Sequence, residues 1–159
     1  MSNNLNEIRN KIDILKKTRK SIILATINNE GAPLASYSPY VEYTGKLYLY
    51  LSSLSEHKQN IIENKKLSVL FIEDEKDAKL IALRERLTHE GLGELIEDST
   101  LQEQIQNLFV IEHGKSYETL PKMHDFSLIE VSLGKGRYVF GFGNAYEIDG
   151  HEIKHINNK

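Results

Sequence analysis

Several groups of residues in this 159-residue sequence have the types and spacing for chemistry. The first is Ser52-Ser53-Leu54-Ser55-Glu56-His57-Lys58, where a strand pattern gives way to a helix pattern. Hydroxyls, an imidazole and an ammonium group beside free helix N–H groups suit a phosphate or a carboxylate; an ordinary capped helix accounts for them equally well. The second is Arg84, Arg86 and Thr88, which share one face if the strand alternates. Such arginines clamp propionate or phosphate groups bidentately, or simply form an exposed ion-paired face. The third, His151-Glu152-Ile153-Lys154-His155, spells the helical zinc signature H-E-x-x-H. It follows an Asp149-Gly150 turn signal, contains a β-branched residue and ends four residues before Lys159, so zinc is rejected. As a strand, it puts His151, Ile153 and His155 on one face.

Two weaker signals accompany these. His124-Asp125 closes a polar loop, where an acid can orient a histidine or a water. Gly141-Phe142-Gly143-Asn144-Ala145 puts two glycines in a strand pattern, inviting close approach of a flat ligand or a second subunit, or a bulge. The glycine pair opens no helix and lacks a third glycine, so it is not a dinucleotide fingerprint.

Composition narrows the chemistry. No cysteine is present, which excludes disulfides, thiolate zinc sites, iron–sulfur clusters and cysteine nucleophiles. With 20 basic against 23 acidic side chains and a net charge of −3, no positive excess supports general nucleic-acid binding. Neither a membrane-spanning run nor an apolar secretion signal in residues 1–10 is visible, so the expectation is a cytoplasmic protein with no membrane partner.

The elements that must position these residues read as mainly β. Leu5, Ile8, Ile12 and Leu15 mark an amphipathic helix over residues 1–19 with a basic end. Strands follow at 21–27, 33–43, 46–51, 67–72 and 80–94, with a short helix from Ser53 or Ser55 to Asn64. Thr100 and Glu103 form a capping-box pattern ahead of Leu101, Ile105, Leu108 and Phe109, and Gly114 ends that helix. A strand at 125–133, a tight turn at Gly134-Lys135-Gly136, a strand at 137–146 and a short hairpin and tail at 149–159 complete the chain. Six or seven antiparallel strands joined by hairpins favour an α+β, mainly β, antiparallel split β-barrel in one domain, residues 1–159, over a doubly wound sheet.

Together, the Ala25-Thr26 hairpin leading to Pro39-Tyr40, the Ser52 to Asn60 segment, Leu70 to Glu75, Arg86-Leu87-Thr88, and Gly136 to Tyr146 resemble the HugZ-type haem utilisation proteins, relatives of the pyridoxamine-phosphate-oxidase-like, FMN-binding split-barrel proteins. The resemblance runs from about Lys20 to Ile148. It implies a cytosolic homodimer with ligand sites at its interface, which binds haem and degrades it to release iron, with electrons from an unidentified donor. It further implies an axial histidine from the C-terminal region, where His155 and His151 are the candidates, supported by Asp125 as the catalytic acid. Ser52, Ser53, His57, Lys58, Arg86 and Arg137 are the expected ligand-binding residues. Two alternatives keep the same barrel: an FMN-binding flavin oxidoreductase with its phosphate at Ser52-Ser53 and His57-Lys58, or a haem-binding or transfer protein without turnover.

Overall fold

The computed structural model describes residues 2–123 and 125–156. Its helices are α1 (Ser2–Thr18), α2 (Glu56–Asn64) and α3 (Ser99–His113). Its strands are β1 (Ser21–Ile27), β2 (Pro33–Pro39), β3 (Val41–Tyr43), β4 (Lys46–Ser52), β5 (Lys66–Ile72), β6 (Arg86–Leu95), β7 (Phe126–Phe140), β8 (Asn144–Asp149) and β9 (Glu152–His155). All pair antiparallel in one curled sheet of order β2-β1-β5-β6-β7-β4-β3, with β8 also on β7 and β9 on β8. The mainly β split barrel expected from the hairpin pattern is therefore present. No helix among the described residues is long and apolar enough to cross a membrane.

The sheet's concave face holds the main core. Alternation buries Ile22 and Leu24 of β1, Val69 and Phe71 of β5, and Leu87 of β6, while α1 closes the barrel with Ile8, Ile12 and Leu15. A second core lies on the other side, where Ile105 and Phe109 of α3 cover Val41, Tyr48 and Leu128. Tyr50, Phe109 and Tyr117 stack there, with centroids 4.8 Å apart for the Phe109–Tyr117 pair.

Four local expectations need correction. Nine strands replace six or seven, partly because residues 33–43 divide at Tyr40 into β2 and β3. Gly134-Lys135-Gly136 is no turn: β7 runs straight through it, and the register slips by a bulge opposite His89 and Gly91. The turn lies at Gly141-Phe142-Gly143 instead, where both glycines have positive φ, of 52° and 72°. Finally, the cap of α3 is Asp98, whose side chain accepts from the Leu101 N–H at 2.7 Å, and residues 81–83 form a 3₁₀ turn before β6 starts at Arg86.

Close packing explains two glycines in β6. A Cβ at Gly93 would stand 2.4 Å from Ile61 Cγ2, on the α2 residue wedged into the core, and one at Gly91 would stand 2.9 Å from Val131 Cγ1. Ile61 is 1% exposed and has no space to retreat into. Gly93→Ala should therefore cost about 1–3 kcal/mol of unfolding free energy by overpacking. Urea denaturation checks this, and an unchanged midpoint would show that α2 can shift off the sheet.

Candidate functional site

The residues singled out from the sequence gather at two places, at opposite ends of β7. The first is the β4–α2 junction. Ser52 pairs across the ladder with Phe126, which brings Asp125 beside it: Ser52 Oγ donates to Asp125 Oδ2 at 3.0 Å, and Ser53 N–H donates to the Asp125 carbonyl at 2.6 Å. Lys58, 9% exposed, reaches the same carbonyl with Nζ at 3.5 Å. Ser55 is the N-cap by backbone only, its hydroxyl donating to the Ser52 carbonyl at 2.5 Å. Four residues of the Ser52–Lys58 segment thus meet the distant Asp125 in one polar knot. His124, the other half of the His124-Asp125 pair, lies outside the described residues.

His57, on the first turn of α2, is buried and makes no hydrogen bond among the described residues. Burial pushes its imidazole below the usual histidine range. Its neighbour Asn60 is satisfied, donating to Thr26 Oγ1 at 3.0 Å and so tying α2 to β1.

This knot does not fit a phosphate. A carboxylate, Asp125, already takes the Ser52 hydroxyl, and Lys58 is spent on the backbone of the same residue. A phosphomonoester at this helix start would face that carboxylate at close range, a repulsion only partly offset by one lysine. FMN bound through its phosphate here is therefore disfavoured.

The second place is the far end of β7, eleven residues on from Phe126 at Arg137. At about 3.3 Å per residue that is roughly 35 Å of strand. Arg86, Thr88 and Arg137 lie on the convex face, with Thr88 directly across the ladder from Arg137 and Arg137 across from Glu147. Arg84 does not join them: it precedes the strand, and its guanidinium donates to the Glu73 carbonyl at 2.8 Å through Nε and to Glu75. Arg86 donates to the Arg84 carbonyl at 3.1 Å. A cavity of about 460 Å³ opens between Ser68, Thr88, Arg137 and the β8–β9 hairpin, with Lys135 and Lys154 on its rim. Those two lysines were not singled out from the sequence, where nothing distinguishes them from solvated charges.

The β8–β9 hairpin carries the two C-terminal histidines at this same end. The H-E-x-x-H sequence is a turn followed by β9, not a helix. His155 shares a face with Ile153, as alternation requires, and packs edge-on against Tyr146 with centroids 4.9 Å apart; its Nε2 lies 3.2 Å from the Gly143 carbonyl. His151 is in the turn, exposed, and its carbonyl accepts from Arg9 Nη2 at 2.6 Å. Only His155 is thus a strand residue beside the aromatic group of Tyr138, Phe140 and Tyr146.

Between the two ends sits His89, a buried histidine. Its ring fills the place where a Cβ of Gly136 would be, 2.5 Å from Nδ1, and Nδ1 lies 2.9 Å from the Gly134 carbonyl. Burial lowers its affinity for a proton in spite of that bond.

A curled antiparallel sheet closed by an N-terminal helix, with polar ends on one long shared strand, defines the split-barrel class. Residues 8–140 match the family described as pyridoxamine 5'-phosphate oxidase, and the chain belongs to that family. It is 31% identical to the haem oxygenase HutZ of Vibrio cholerae over 144 residues, which are 90% of this chain and 82% of HutZ. The crystal structure of Campylobacter jejuni ChuZ superposes with a TM-score of 0.89 at 31% identity, covering 95% of this chain and 63% of ChuZ. The chain thus spans less than two thirds of the ChuZ length. The crystal structure of Vibrio cholerae HutZ, described there as a haem storage protein, gives a TM-score of 0.77 at 32% identity, covering 84% of this chain and 94% of that one.

Two buried histidines with lowered pKa give a stability prediction with a definite sign. Between the lowered values and the free value near 6.5, the unfolded chain binds more protons than the folded one, so stability falls as pH drops below about 6.5. Urea titrations from about pH 7.5 to about pH 5.5 should show that loss, and His57→Gln should reduce it to the part that His89 contributes. Stability independent of pH over this window would contradict the burial of both rings.

Proposed function

We propose that this protein binds haem and degrades it oxidatively, releasing iron for use by the cell. The observation that carries this is the 31% identity to the haem oxygenase HutZ over 90% of the chain. In this reading haem is the substrate, O2 the oxidant, and electrons come from a donor yet to be identified; the reaction takes place in the cytoplasm. An axial imidazole leaves one face of the iron for O2, and hydrogen-bond donors around that face decide between storage and activation.

The residue roles follow from chemistry. His155, or else His151, supplies the axial nitrogen; neither Cys nor a nearby Met competes, since the chain has no cysteine and its methionines are Met1 and Met123. Arg86 and Arg137 on the convex face bind the propionates by charge-assisted hydrogen bonds. Asp125, held by Ser52, is the acid of the site, with Ser53, His57 and Lys58 around it. In one protomer Asp125 and Arg137 lie further apart along β7 than one macrocycle spans. A site using both ends therefore draws them from two copies.

The convex face supports such a pairing. Tyr37 is 68% exposed, Leu92 54%, Ile27 47% and Ile23 40%; Tyr37, Ile27 and Ile23 lie on the adjacent strands β1 and β2, and Leu92 on β6. α3 covers the sheet beyond β7 but leaves this part bare. An apolar sheet surface of this kind is a subunit interface, and a two-fold axis over it juxtaposes opposite ends of the two barrels. Sedimentation should give a homodimer at micromolar concentration; a monomer would remove the second copy from the site.

Haem titration tests the reading itself. A Soret band should form, and with O2 and a chemical reductant it should bleach with release of iron. Arg86→Ala should weaken binding by about 1.5–3 kcal/mol. Replacing both His151 and His155 by Ala should shift the Soret band and change the coordination state, and an unaltered spectrum in the double variant would move the ligand elsewhere. A stable band under O2 and reductant would leave a storage or transfer protein, and a yellow flavin spectrum without haem affinity would overturn the proposal.

A further inference from the structure

A haem group presents two broad apolar faces, which an axial nitrogen and two arginines do not shield from water. The aromatic group beside His155 is already committed to the core. Tyr138 and Tyr146 are buried there, and Phe140 stacks on Tyr146 beneath Lys11, whose Nζ lies 5.1 Å from the Phe140 ring centroid. Phe142 differs. It is 80% exposed, and its ring pairs with no other aromatic group among the described residues.

The backbone that carries this ring is held in place. Phe142 sits between Gly141 and Gly143 in the turn from β7 to β8; Asn144 Nδ2 donates to the Phe142 carbonyl at 3.0 Å, and His155 Nε2 lies 3.2 Å from the Gly143 carbonyl. The glycines and these two side chains set the turn, so the hairpin itself requires no aromatic residue at its tip. The 73–85 loop leaves the sheet at the same end, since Ile72 pairs with Arg86, Arg86 with Val139 and Val139 with Ala145. Arg84 closes the base of that loop through the Glu73 carbonyl, and the loop exposes Leu80 and Ile81. Single exposed apolar residues are common, but three on two connections, at the strand end that carries Arg86, place apolar surface around a cation.

We infer that Phe142 is a haem-binding residue whose ring lies against an apolar face of the macrocycle, with Leu80 and Ile81 sheltering the macrocycle's edge while Arg86 takes a propionate. The inference rests on the haem-binding reading and adds to it the part of the site that selects a flat apolar ring. Apolar surface around a guanidinium matches a ligand with a flat apolar body and its negative charge at one edge; a small carboxylate or phosphate would use the arginine alone. Because His155 reaches the carbonyl next to Phe142, a haem that takes its axial nitrogen from His155 comes within reach of the Phe142 ring. Contact between the two rings then stabilises the complex through buried apolar area and stacking.

The test is a spectrophotometric titration of the full chain with haem and with haem dimethyl ester, which keeps the macrocycle and lacks its two negative charges. Phe142→Ala should weaken binding of both about tenfold, and Phe142→Trp should restore it. The Soret position and the melting temperature of the ligand-free chain should stay unchanged in Phe142→Ala, because the exposed ring is neither an iron ligand nor part of the core. Equal affinity in Phe142→Ala would overturn the assignment. So would a loss confined to haem, which would place the effect at the carboxylates, a shifted Soret band, which would place it at His155, or a change from dimer to monomer, which would make the ring a subunit contact. In each of those outcomes the wild-type chain still binds haem and the haem-binding reading stands; a wild-type chain that binds neither ligand would overturn both.

Discussion

The structure depends on one strand being shared. β7 pairs with β6 along most of its length, while its other edge serves β4 over Phe126–Val131 and then β8 over Gly136–Phe140. A regular strand cannot follow both partners, and the one extra residue at the bulge opposite His89 and Gly91 supplies the bend. That bulge needs a residue without a side chain at 136, because the His89 ring occupies the space, and it needs the His89 bond to Gly134 to hold the displaced backbone. The split in the barrel and the separation of the two polar ends both follow from this arrangement.

Polar groups near the cores are held by the same logic of satisfaction. Glu130 of β7 shows it best: burial pushes its carboxyl up, but Lys46 and the Tyr48 hydroxyl both donate to it and hold it below the usual range. Tyr48 in turn is pushed up to about 12, by burial and then by that hydrogen bond. Tyr138 pairs with Glu85 in the same way at the other end of β7. A buried phenol and a carboxylate satisfy each other, which lets the long strand carry polar residues on a face otherwise committed to α3 and the barrel. Arg19 departs from this pattern, since its Nε and Nη1 are buried without a hydrogen-bond acceptor and its charge is met by Asp74, 2.9 Å from Nη1.

The two faces of the sheet are used differently. The concave face is sealed by α1 and α2 through Ile8, Ile12, Leu15 and Ile61, so no ligand enters there. Chemistry is left to the convex face and the strand ends, where α3 covers β3 and β4 but not β1 and β2. A barrel of this size with a sealed interior makes its binding surfaces outside, and its convex face carries the exposed apolar side chains Ile23, Ile27 and Tyr37.

Much of this was written in local patterns. Alternation in β1 and β5, the turn residues at Asn28 to Gly31, the helical spacing of Leu5 to Leu15 and the stripe of α3 all carry their signals within a few residues, and the elements formed accordingly. The polar knot was half legible: the Ser52 to Lys58 segment could be read as a strand-to-helix junction, but not that Asp125, more than sixty residues later, would take its hydroxyl. What the sequence could not reveal was anything fixed by ladder pairing. Gly134-Lys135-Gly136 has the composition of a turn and became a bulge because two neighbouring strands hold it extended. Arg84 left the face of Arg86 because the strand starts at Arg86 rather than at residue 80, and the pairing of Arg19 with Asp74 joins residues more than fifty positions apart. Local residue types determine which elements form and which face they bury, since those depend on period and turn chemistry. Register and the meeting of distant side chains were decided by the tertiary structure, because hydrogen-bond pairing between strands is set by the whole sheet at once.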